Sequence, residues 1–218
     1  MTLIYANANP LGGFLYYLFC CPRDTNQVIT IKTKNILALL VLAAALVRLI
    51  FFVFGGVFTT NIWMADQLFS FAMAVSILLL WDRLRITIIG FLGSVLLLTL
   101  HNLGQFGFYN KSFFGLTYDI YMHTLFGLVA GYVAWHYFDA KKYPTYILTI
   151  LVVVGLGGLH EIVEVGGALA FGEGEGFLLF GPGDEGSFDA IKDLTMNLLG
   201  GVLTLITCFS VRLIKKKA

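Results

Sequence analysis

The sequence predicts an all-α, polytopic membrane bundle of six transmembrane helices with both termini cytoplasmic, and three observations carry that expectation. The 218 residues are 58% hydrophobic and 12% charged, against roughly 25% charged in an ordinary soluble domain, and the mean hydropathy is +0.85. Apolar runs recur at 36–54, 62–80, 85–101, 117–138, 144–171 and 188–211, close to or above the ~20 residues that a helix needs to cross a hydrocarbon core. Cations, finally, are confined to alternate connections between those runs.

Taken in order, residues 1–35 lack the basic start and small-residue cleavage site of a signal peptide. Leu11–Cys21 is too short to span and ends at Pro22-Arg23-Asp24, so it reads as an interfacial segment with its aromatic rings at headgroup level. Arg23, Lys32 and Lys34 precede the first run, Arg83 and Arg85 join the second to the third, and Lys141 and Lys142 join the fourth to the fifth. Arg212, Lys215, Lys216 and Lys217 follow the sixth, whereas the intervening loops carry one cation, Lys111. Positive loops stay inside, which places both ends in the cytoplasm, as an even number of spans also requires. The last outer loop, 172–187, carries Glu173, Glu175, Asp184 and Glu185 among glycines and Pro182, an irregular segment over the outer face. No repeat or soluble domain interrupts the chain, so 1–218 is expected to form a single integral membrane domain in the cell membrane, most simply a bacterial or archaeal cytoplasmic membrane.

Several function classes drop out. The net charge of +1 and the absence of a basic patch interleaved with aromatics exclude a nucleic-acid partner. Cys20, Cys21 and Cys208 make neither a disulfide framework nor a spaced metal motif. Neither a Gly-x-Ser-x-Gly elbow nor a phosphate loop ending in Gly-Lys-Ser/Thr occurs. Asp189-x-x-x-Asp193 matches the end of the CDP-alcohol phosphotransferase signature, but its Asp-Gly and Ala-Arg portions are missing.

What remains is a set of polar residues in apolar surroundings. His160, Glu161 and Glu164 lie within PTYILTILVVVGLGGLHEIVEVGGALAF, 144–171, where one carboxylate at mid-helix costs about 2.5–3.5 kcal/mol on insertion scales. At the helical rise, Asp119 and His123 lie about 3 and 9 Å below the outer start of the fourth run, and Asp189, Asp193 and Asn197 about 2, 8 and 14 Å into the sixth. Arg48, Asp66 and His101 also fall in the outer half, whereas Asp82, Asp139 and His136 sit at cytoplasmic helix ends where snorkelling is cheap. The four-residue spacings Asp119/His123, His160/Glu164 and Asp189/Asp193/Asn197 put each set on one helix face. Glu161 shares the face of its neighbours only in part.

If those faces converge, the carboxylates cannot all be ionised without compensation. Either a divalent cation neutralises them, or burial and mutual repulsion keep several protonated. A mixed His and carboxylate set made of Asp119, His123, His160, Glu164, Asp189 and Asp193 suits Zn, Mn or Fe, with Mg possible through fewer ligands. Glu161 is then a candidate general base and Lys192 a candidate catalytic cation, with Arg48 as a further counter-charge. His160-Glu161-x-x-Glu164 is one residue from the zinc-protease pattern His-Glu-x-x-His, Glu164 standing where the second histidine would be. Gly127, Gly131, Gly155, Gly157, Gly158, Gly166, Gly167, Gly200 and Gly201 read as sites of close helix packing.

Tyr118-Asp119-x-x-x-His123-x-x-x-Gly127, His160-Glu161-x-x-Glu164 and Asp189-x-x-x-Asp193-x-x-x-Asn197-x-x-Gly200-Gly201 together resemble the pattern of the YjdF-like family of six-helix inner-membrane proteins. More distantly they resemble VanZ-like proteins linked to glycopeptide resistance. The resemblance covers about residues 115–202; Phe188 stands where a tryptophan is often found, and the first three runs match neither pattern. It implies an architecture and brings no reaction.

Three functions fit these residues. The first is a metal-dependent membrane enzyme, open to the outside, acting on a lipid headgroup or a lipid-linked phosphate at the outer leaflet. The second is a proton- or cation-coupled transporter using buried carboxylates, which would continue its polar residues to the inner face and break its helices near midplane. The third is a non-catalytic assembly protein whose polar layer locks helices together by hydrogen bonds worth about 1 kcal/mol each.

Overall fold

A computed structural model describes residues 61–104, 107–109, 111–138, 144–171 and 187–217, with Ile36, Leu39, Leu40, Val41 and Ala43, all five helical, from the first run. The interfacial segment, Arg48 and the acidic loop at 172–186 lie outside the described residues. The elements are α1 (Asn61–Leu79), α2 (Trp81–Leu84), α3 (Ile88–Leu103), β1 (Ser112–Phe113), β2 (Leu116–Thr117), α4 (Tyr118–Tyr137), α5 (Pro144–Phe171) and α6 (Ser187–Lys217). Among the described residues, α5 and α6 contain stretches long and apolar enough to cross a membrane, Pro144–Gly167 and Phe188–Ile214. Their outward faces carry Leu151, Ile162, Ile206 and Ile214, each more than half exposed, a distribution that suits lipid and not water.

The turn into α3 explains a displaced boundary. Arg85 adopts a left-handed conformation (φ 51°, ψ 40°), and its amide and that of Ile86 return to the carbonyls of Asp82 and Trp81. Thr87 then caps α3 by accepting from the Gly90 amide at 3.0 Å, a contact worth about 1 kcal/mol. The helix therefore starts at Ile88, three residues later than the apolar run suggests. Trp81 and Phe91, 5.0 Å apart, pack with Val41, Ala74 and Ile86 in the core at this end. At the other end of α3, a two-residue hairpin pairs Ser112 with Thr117 and Phe113 with Leu116. Phe114 and Gly115 supply its turn with positive φ, and the hairpin leads directly into Tyr118.

Helices α4 and α6 run parallel with their backbones in contact, whereas α5 lies antiparallel to α6. A Cβ on Gly127 would stand 2.0 Å from the Asn197 carbonyl oxygen, and one on Gly200 would stand 2.2 Å from that of Thr124. Lower in the seam, the Thr204 hydroxyl donates to the Leu128 carbonyl at 2.9 Å. Gly131, Gly157 and Gly201 also face neighbouring helices, but Gly155, Gly158 and Gly166 have nothing within 4 Å. Those three correct the expectation of close packing: they lie on a side of α5 that no described neighbour approaches. α5 itself is continuous from Pro144 to Phe171.

Candidate metal centre

The parallel arrangement brings the first turns of α4 and α6 to the same end of the bundle, where the C-terminal half of α5 and the end of α3 also lie. Asp119 and Asp189 occupy the first turns of α4 and α6, and His101 the last turn of α3.

His123 is the hub. Its Nε2 lies 3.2 Å from Asp119 Oδ1, one turn back on the same helix, and 3.5 Å from Asp193 Oδ2 on α6. Lys192 reaches across from α6 with Nζ 2.9 Å from Asp119 Oδ2 and 3.6 Å from Asp193 Oδ1, and it also pairs with Asp189. On α5, His160 Nε2 is 3.3 Å from Glu164 Oε1. The His160 ring stands 5.8 Å from that of His123 and 6.1 Å from that of His101, so three helices present a row of imidazoles. His101 Nδ1 is 2.8 Å from the Tyr109 hydroxyl, and the Tyr118 hydroxyl donates to the Leu100 carbonyl at 2.8 Å, which fixes α3 against α4.

Burial sets the chemistry. Asp193 is 2% exposed, His123 7% and Glu161 8%, so little water remains to solvate them and each charge must find a partner inside. Lys192 supplies one positive charge against the carboxylates of Asp119, Asp189 and Asp193. Asp119, His123 and Asp193 each offer one ligand atom, all within 4.8 Å of one another. Atoms bound tetrahedrally to zinc at about 2.0–2.1 Å are roughly 3.3 Å apart; His123 Nε2 is 3.2 and 3.5 Å from the two aspartates, and all three ligand atoms lie within 4.8 Å of one another. Three protein ligands with a fourth position left to water or substrate is the pattern of catalytic sites. Glu161 Oε1 is buried without a hydrogen-bond partner, within electrostatic reach of His123 and His160.

Of the residues singled out in the sequence, Asp119, His123, Asp193, Lys192 and Asp189 form one contiguous cluster. His160 and Glu164 form a second pair whose ring faces the first, and they do not share the compact ligand set. Asp66 lies on α1 with its side chain outside the described residues. Asn197 is fully buried one turn below Asp193, and neither atom of its amide has a hydrogen-bond partner. Tyr109 escaped sequence reasoning because it lies in a loop with no periodicity. His101 carried a signal, its position at the outer end of an apolar run, but no spacing partner on its own helix.

Outward-facing apolar helices around a buried histidine–carboxylate centre define a helical membrane protein. The chain belongs to the family described as "Predicted membrane protein (DUF2238)", whose model matches residues 36–213. That membership agrees with the YjdF-like resemblance and gives the VanZ-like one no support. No curated protein and no solved structure matches the chain.

Proposed function

We propose that the protein is a membrane-embedded, metal-dependent enzyme with an outward-facing centre, acting on a lipid headgroup or lipid-linked phosphate. The observation that carries this reading is the spacing of the Asp119, His123 and Asp193 ligand atoms, drawn from two helices whose backbones touch. Zn, Mn, Fe or Mg held there would supply Lewis acidity and a water activated near neutral pH. Glu161, which has a buried oxygen without a hydrogen-bond partner, would be the general base for such a water. Lys192 holds the three aspartates together and would meet a phosphate oxygen entering from their side. His160 and Glu164 form the neighbouring wall.

A six-span arrangement with cytoplasmic termini is part of the proposal. Supporting it, Arg83, Arg85 and Arg212 lie at the end of the bundle away from the acidic centre. That distribution suits a centre beneath the outer face of the cell membrane. The test is elemental analysis of the purified protein beside His123→Ala and Asp193→Ala. Stoichiometric metal in the wild type and its loss from both variants is expected, and a metal-free wild type ends the reading.

A proton- or cation-coupled transporter is the second reading, favoured by Asn197 and Thr149. Both are fully buried below the centre with polar side-chain atoms that have no hydrogen-bond partner. Proteoliposome flux that ignores an imposed pH or cation gradient would remove it.

A further inference from the structure

Beside the imidazole row, a cavity of about 600 Å³ runs between α1, α3, α4 and α5. His101, Tyr109, His123 and His160 line one end, and Leu84, Ile86, Tyr137 and Phe138 line the other. Between them the wall is almost wholly apolar, with Leu97, Met122, Phe126, Val129, Val133 and Leu156 among its side chains. From His123 to Phe138 the helix rises about 22 Å, more than the ~15 Å depth of one leaflet of a ~30 Å core. The cavity thus lies along the bundle axis, with its polar groups gathered at the end that also holds the carboxylates.

We propose that this cavity seats the hydrocarbon chain of the substrate lipid, threaded past the imidazoles with its headgroup at the Asp119, His123 and Asp193 cluster. The headgroup half of this statement rests on the enzymatic reading above; the chain half rests on the cavity alone. The lining decides the occupant: an apolar wall with its polar groups gathered at one end is complementary to an amphiphile, chain along the wall and headgroup at the polar end. Met73 on α1 and Leu156, Leu159 and Val163 on α5 line it while remaining 40–59% exposed. Among the described residues the cavity is therefore open at its side, where a chain can slip in from the bilayer without leaving an apolar medium.

The experiment is photolabelling of the full-length protein in phosphatidylethanolamine and phosphatidylglycerol vesicles. One arm carries a trace of phosphatidylglycerol with a diazirine at the chain terminus, the other a polyprenyl phosphate tagged at the same end. Peptide mapping should place the label on the far end of the cavity, at Leu84, Ile86, Tyr137 or Phe138. The arm that labels identifies an acyl or an isoprenoid chain. Ala130→Phe, which fills the cavity midway along α4, should abolish that labelling with metal content unchanged, and Val152→Phe does the same from α5 should the first variant fail to fold. Label spread evenly over outward residues such as Ile147 and Ile206, or undiminished in the filled variants, overturns the proposal. Labelling that persists in a metal-free protein sinks the enzymatic reading and leaves the chain site standing; metal without labelling does the reverse.

Discussion

Replacing Gly200 by alanine tests whether the seam between α4 and α6 sets the geometry of the centre. The new Cβ would lie 2.2 Å from the Thr124 carbonyl oxygen, 2.7 Å from the Leu128 amide nitrogen and 2.9 Å from the Gly127 Cα. All three are backbone atoms on a packed helix, so no side chain can swing away. Overpacking of this kind costs about 1–3 kcal/mol, and the clash here belongs near the top of that range. Alanine returns up to about 1 kcal/mol of helix propensity over glycine, which leaves a net loss of about 2 kcal/mol. For a chain of this size that corresponds to a drop of roughly 4–8 °C in Tm. Relief requires the helices to part by about an ångström, whereas metal sites tolerate deviations of about 0.2 Å. Metal affinity should therefore fall by about 10–100-fold, as it does when groups supporting a ligand are removed, although no ligand has been altered. Gly158→Ala is the control, since nothing lies within 4 Å of its added carbon. Thermal unfolding and metal titration on both purified variants decide the matter. A Gly200→Ala protein that keeps the wild-type Tm and affinity would refute the idea that the seam positions Asp193 against His123.

Lys192→Met removes the ammonium shared by Asp119, Asp189 and Asp193, so the variant should lose stability in chelator and bind divalent metal more tightly than the wild type in a competition titration. Equal affinities would show that the lysine does not compete for the carboxylates. Asn197→Leu replaces a buried amide without hydrogen bonds by an apolar group of similar size; since such an amide costs about 1–3 kcal/mol, Tm should hold or rise with metal content intact. A marked loss of metal would instead make the amide part of the centre.

Much of the helical layout was legible because apolar length is a direct physical requirement of a bilayer. Pro144 to Phe171 is one such run, and its bounds coincide with α5. The faces were legible for a similar reason, since four residues is slightly more than one turn. Asp119 and His123 on α4 are thus side by side, and so are His160 and Glu164 on α5. What spacing within a helix cannot convey is rotation between helices. Nothing in the order of residues distinguishes Gly200, pressed against Thr124, from Gly158, which touches nothing. Nor does it show that Lys192 turns back over both carboxylates of its own helix and reaches Asp119, or that His160 meets His123 through its ring while its nitrogen is committed to Glu164. The hairpin at 112–117 was obscured because its turn places a phenylalanine at positive φ, where Asn, Asp or Gly is the usual marker.

The glycine contact between α4 and α6 has a consequence for how the protein can vary. With main chain resting on main chain, the register of the two rods is indexed by residue count, and side-chain repacking cannot compensate for a shift. One residue inserted between Asp193 and Asn197 would rotate the upper turn of α6 by about 100° and carry Asp193 away from His123, while leaving every functional group in the chain. Length between these landmarks, and not composition alone, is therefore what an inherited copy must preserve.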